Sequence, residues 1–112
     1  MTQHLTPLVT GLAAHGGSAE GCVRVVRGAS DQNAFREGDI LVAGTTEPSM
    51  VIMMNKAAAI VTDKGGMTCH AAIIARELGI PCIVATKTGT TILKNGMRVI
   101  VDGTRGEVRA AV

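Results

Sequence analysis

Aromatic residues are almost missing: Phe35 stands alone among 112 residues, with no tryptophan and no tyrosine. A core must therefore be assembled from Val, Ile, Leu, Ala and Met. The basic residues are scattered and form no stripe interleaved with aromatics, so nucleic acid is not an expected partner. No apolar run approaches the length of a membrane span, which leaves a membrane partner unexpected as well. The first residues, Met1-Thr-Gln-His-Leu-Thr-Pro7, lack the basic and apolar regions of a signal peptide, and the expected location is cytoplasmic. The three cysteines, Cys22, Cys69 and Cys82, are odd in number and lack metal-type spacing. They are expected as free thiols, with Cys22 and Cys82 in the core. His4, His15 and His70 form no His-x-x-x-His pair, so no metal site is expected.

What is present suits one domain with its own core: 46% apolar residues, 14 glycines for tight turns and a net charge of +2. Residues 1–10 are polar and irregular and are expected as a flexible lead-in, with residues 11–112 as the single domain. A glycine-rich loop precedes residues 22–27, which alternate apolar with basic and predict a strand. A short capped helical segment follows over 30–37, then a strand over 40–43. Pro48 can open a helix over 49–58 with Met50, Met53 and Met54 inward. Strands are predicted at 59–62 and 82–85, a polar loop at 86–91, and a closing hairpin across Asp102-Gly103. Strands mixed with short helices indicate an α/β class.

Residues 63–85 carry the densest signal. Gly65-Gly66 marks a loop. Thr68 is the expected N-cap of a helix whose inward face is Ala71, Ile74, Ala75 and Leu78. Gly79 and Pro81 stop it. His70 then sits at a helix N-terminus, where free amides and partial positive charge attract anions. An imidazole there has a nucleophilic nitrogen beside a resting place for phosphate.

Gly65-Gly66-x-Thr68-Cys69-His70-Ala71-Ala72-Ile73-Ile74-Ala75-Arg76-Glu77-Leu78-Gly79-Ile80-Pro81 resembles the signature of the phosphoenolpyruvate-utilising mobile domain. That is the swivelling phosphohistidine domain of phosphoenolpyruvate synthase, pyruvate phosphate dikinase, phenylphosphate synthase and Enzyme I of the sugar phosphotransferase system. The Thr-Cys-His form is closer to the phosphoenolpyruvate synthase and phenylphosphate synthase branch than to the Thr-Ser-His of Enzyme I. Ala19-Glu20-Gly21 and Gly38-Asp39-Ile40-Leu41-Val42 also fit, whereas His15-Gly16-Gly17 departs from the commoner Ser-Pro-Gly.

The resemblance implies a swivelling β/β/α fold and a phosphoryl group carried on His70. It implies supporting roles for Thr68 and Cys69, and places Ser49 near a hydroxyl residue that lies by the phosphohistidine in Enzyme I. Gly65 and Gly66 would let a partner's active site approach the backbone, though a tight turn would need them equally. Arg76 and Glu77 are expected to dock a partner or pair locally. The implied donor is ATP on an ATP-grasp nucleotide-binding domain, or phosphoenolpyruvate on an acceptor-binding barrel domain. No cofactor is expected on this domain itself; Mg²⁺ and the donor belong to the partners. The chain has no Walker-type loop, so it is expected to be inactive alone, as an excised domain or a small subunit of a kinase- or dikinase-type phosphotransferase. Met1 and a closing strand near Val112 favour the subunit. The alternatives are a stand-alone phosphocarrier and a non-catalytic interaction module.

Overall fold

Four parallel strands form the centre of a computed structural model that describes residues 6–111. They are β3 (Ser18–Val25), β4 (Ile40–Ala43), β5 (Ala59–Thr62) and β6 (Cys82–Val84). Every residue of β4, β5 and β6 is buried, which requires cover on both faces. Strand alternation decides which face each side chain joins. Ile40, Val42, Ala59, Val61 and Ile83 point to one cluster, with Val23, Val99, Val101 and Val108. Leu41, Ala43, Ile60, Cys82 and Val84 point to the other, with Phe35 and the three inward methionines.

The first cluster is the inside of a closed ladder. Its strand order is β1-β8-β7-β3-β4-β5-β6-β2, where β1 is Val9–Thr10, β2 Leu12–His15, β7 Arg98–Asp102 and β8 Glu107–Ala110. The two ends of the ladder are consecutive in the chain, joined through Gly11, so the sheet returns on itself as a barrel. Closure needs bare backbone at the seam. A Cβ on Gly11 would lie 2.5 Å from the Val84 carbonyl oxygen, and one on Gly103 would run into the carbonyl oxygen of His15.

The second cluster is covered by α1 (Val51–Lys56) and α2 (His70–Leu78), which pack beside each other. A third short helix, α3 (Gly89–Ile92), sets the fully buried Leu93 into the barrel interior. Each fully buried Val, Ile or Met side chain contributes about 1.5–3 kcal/mol, so the two clusters together carry the stability of the chain.

The architecture is the predicted α/β fold, with differences that have physical causes. Within the stretch 1–10 predicted as a flexible lead-in, Val9 is 3% exposed and pairs with Val108, so it belongs to the fold; residues 1–5 lie outside the described residues. The glycine-rich segment before residue 22 contains β2, and β3 starts at Ser18; both are held by the seam pairing rather than by local propensity. The 49–58 helix divides into a 3-10 turn at Pro48–Met50 and α1. Part of the polar 86–91 segment is α3, capped by the Asp63 carboxylate accepting from the amide of Thr90 at 2.9 Å. Cys82 is buried, but Cys22 is only half-buried. Among the described residues no helix is long and apolar enough to cross a membrane.

Candidate functional site

The carboxyl ends of β4, β5 and β6 open toward loops that converge on the start of α2. Parallel strands with crossover helices bring helix N-termini to this edge. His70 is the first residue of α2, and the first helical hydrogen bond runs from the amide of Ile73 to the Cys69 carbonyl at 3.0 Å. The amides of residues 70–72 therefore precede the hydrogen-bonded ladder and face the loop. The helix ends as its sequence requires: Gly79 is left-handed, with φ 71°, and Ile80 donates back to Ala75.

The start of α2 differs from the prediction. Cys69, not Thr68, is the N-cap, and no side chain caps the helix. The amide of Cys69 is turned onto the Gly66 carbonyl at 3.2 Å, which carries Thr68 out into solvent. The buried face is Ala71, Ala72 and Ala75, with Ile74 half-buried. Leu78 is 37% exposed instead of inward, because the buried face centres on Ala71, Ala72 and Ala75 and Leu78 falls at its margin in the last turn.

His70 is half-buried, and its Nδ1 shares a 2.9 Å hydrogen bond with the hydroxyl of Thr46. Thr46 follows β4 in the loop over 44–47 and was not singled out by sequence reasoning. Its signal was the Thr45-Thr46 pair between a strand and Pro48, but the contact across 24 positions is tertiary. Ser49 is exposed within the 3-10 turn and makes no hydrogen bond to His70. A cavity of about 40 Å³ lies beside the imidazole, lined by Thr45, Thr46, Thr62, Lys64, Gly65 and Cys69 along with His70 and Ala71.

The two glycines separate in role. Gly65 has φ +124°, and a Cβ there would meet the Cys69 sulfur at 2.8 Å, so the fold itself excludes a side chain. A Cβ on Gly66 would find nothing within 4 Å, and its backbone is not left-handed, so the chain's own packing does not demand glycine there. Cys69 packs against the helix-side cluster and has no hydrogen bond to His70. Arg76 donates to the carbonyl of Met67, tying the glycine loop to the second turn of α2. Glu77 is exposed. His15 is used structurally, its Nδ1 lying 3.0 Å from the carbonyl of Ile80, and His4 is outside the described residues. Burial pushes the Cys82 thiol up to about 12, which keeps it protonated behind α2. Among the described residues no three His, Cys, Asp or Glu side chains gather as a metal site would require.

Residues 35–106 match the family described as PEP-utilising enzyme, mobile domain. The chain is 54% identical over 101 residues to the probable phosphoenolpyruvate synthase of Archaeoglobus fulgidus, covering 90% of this chain and 13% of that protein. It is 56% identical to the phosphoenolpyruvate synthase of Pyrococcus furiosus, covering 90% of this chain and 12% of that one. It thus spans about an eighth of the length of these relatives. Among solved structures, Enzyme I (nEIt) is similar with a TM-score of 0.58 and 38% identity, over 66% of this chain and 31% of that chain. Thermococcus kodakaraensis aconitase X is similar with a TM-score of 0.70 and 26% identity, over 93% and 98% of the two chains. The same framework therefore occurs in proteins with different names, and function has to be argued from the site.

Proposed function

The chain belongs to the family of PEP-utilising enzyme mobile domains, and from that premise we propose that it is a phosphoryl carrier acting through Nε2 of His70. The observation that carries the reading is the Thr46–His70 hydrogen bond. With its proton on Nδ1 and donated to the Thr46 oxygen, the imidazole keeps the lone pair on Nε2. That pair attacks phosphorus; the new N–P bond forms as the P–O bond to the donor breaks, and the electron pair leaves with the donor oxygen. Onward transfer reverses the sense: the N–P bond breaks toward Nε2 and the ring returns to the neutral state. The Nδ1 proton never has to leave, which is why one fixed hydroxyl partner suffices for both directions.

The free amides of residues 70–72 support the reading, because a helix N-terminus offers hydrogen-bond donors and partial positive charge to phosphoryl oxygens. The open space around Gly66 supports close approach of a second protein surface, and so do Met67 and Ile73, 46% and 45% exposed on either side of His70. The donor and acceptor sites belong to the remainder of a phosphoenolpyruvate synthase-type enzyme: an ATP-grasp nucleotide domain, and a domain that binds phosphoenolpyruvate or its acceptor. Mg²⁺ would be held there with the donor phosphates, screening their charge during transfer.

The test is intact-protein mass spectrometry without acid, after incubation with an extract containing the partner domains and either Mg-ATP or phosphoenolpyruvate. A gain of one phosphoryl group in the wild type and none in His70→Ala is expected. No gain with either donor would overturn the carrier reading.

A further inference from the structure

Lys64 is the one cation lining the cavity beside His70. Its backbone is held at both ends. Its amide donates to the Gly44 carbonyl at 3.0 Å, and its carbonyl accepts the Thr62 hydroxyl at 2.6 Å. The next residue, Gly65, occupies a backbone state with φ +124° that side-chain-bearing residues rarely adopt. The position of Lys64 is therefore set by strand β5 behind it and by the glycine turn ahead.

Its charge is also unspent. The neighbouring acid, Asp63, is held away from it: its two carboxylate oxygens accept the amide and the hydroxyl of Thr90, and it makes no ion pair with Lys64. No acid lines the cavity, and among the described residues Lys64 makes no ion pair. The other cation near the glycine loop, Arg76, is occupied by the Met67 carbonyl. An exposed ammonium on a flexible four-carbon stem is thus rooted beside a nucleophile that, when charged, would carry a dianionic group. Nothing else in the cavity lining offers a full positive charge to that group.

We propose that Lys64 is a catalytic residue of the carrier site, its ammonium contacting the phosphoryl oxygens on Nε2 of His70 and offsetting their charge during transfer. The inference rests on the carrier reading above. No bond to Lys64 forms or breaks; its three N–H donors supply counter-charge only. An amino group facing a phosphate also favours the dianion, so the phosphoryl group should lose its last proton at a lower pH than on free phosphohistidine.

The experiment uses potassium phosphoramidate, a small phosphoryl donor that needs no partner domain, on wild type, Lys64→Met, Lys64→Arg and His70→Ala. Phosphorylation is followed by intact mass and by ³¹P NMR against pH. Lys64→Met is expected to phosphorylate about tenfold more slowly, a modest loss because the site is open to solvent. Its phosphoryl resonance should titrate at higher pH than in the wild type, and Lys64→Arg should restore the wild-type midpoint. A purely structural lysine would leave that midpoint unmoved. Equal rates and equal midpoints in wild type and Lys64→Met would overturn the role of Lys64 while leaving the carrier reading intact. A wild type that accepts no phosphoryl group from phosphoramidate or from the partner extract would overturn both.

Discussion

The same strands bury two different interiors. Inside the barrel, β-branched residues from every strand but β2 meet at fixed register, with Leu93 entering from outside the ladder. On the helix side the strands contribute Leu41, Ile60 and Val84, and the filling above them is Met50, Met53, Met54, Phe35 and the alanines of α2. Stiff side chains in a closed ring leave little freedom to adjust. Methionines and alanines under two short helices are more adaptable. His70 stands on the adaptable side, at the end of α2, while the loop that supplies Thr46 leaves the rigid sheet directly. His70 is thus mounted on the softer layer and tied through Thr46 to the harder one.

Breaking the ring should have the largest effect. Gly103→Ala places a methyl group against the backbone of His15 and within 3.2 Å of the Cys82 amide nitrogen, where neither can retreat without opening the seam. A loss of at least about 3 kcal/mol is expected by urea denaturation. Severing the alignment comes next. Thr46→Val keeps the shape of the side chain but leaves Nδ1 without its partner, so phosphorylation of His70 should slow by about 10–100-fold at unchanged thermal stability. An unchanged rate would show that the hard layer does not position the ring.

A smaller pair of changes measures the contrast directly. Val61→Leu adds a methylene inside the barrel and should cost about 1–3 kcal/mol; Met53→Leu on the helix side should cost less than about 1.5 kcal/mol. Equal costs would erase the distinction between the two interiors. The last test concerns pH, and its effect is confined to alkaline conditions. The Cys82 thiol is pushed up to about 12, so above the ordinary thiol range the unfolded chain releases its proton while the folded chain holds it. Stability should therefore fall as pH rises from about 9 toward 12, and the fall should be shallower in Cys82→Ala.

Much of this was readable beforehand where local chemistry decides. The runs 40–43 and 59–62 were predicted at their observed limits because continuous apolar stretches bounded by turn residues have few alternatives. Gly79 and Pro81 ended α2 where they should. What escaped prediction depends on distant partners. Strand β2 hides in a glycine-rich stretch because its hydrogen bonds come from β6, far along the chain. The α3 turn looks like polar loop until Asp63 caps it. Thr46 shows the same limit at the site, since a hydroxyl in a loop reveals its role only when the fold carries it to His70. Thr68 was assigned the capping role by residue type, yet the turn onto Gly66 moved the cap one residue on.

The closed ladder has a further consequence for the proposed carrier role. With the ends of the sheet joined through Gly11, the unpaired strand edge at the seam is confined, among the described residues, to the short outer sides of β1 and β2. A visitor has almost no ribbon to zip onto, and zipped backbones separate slowly. Its contacts must then be made by side chains and loop tips alone, which grip over a small area and let go quickly. On the proposed carrier reading, a domain that must be released after each transfer gains from offering so little strand edge for another protein to hold.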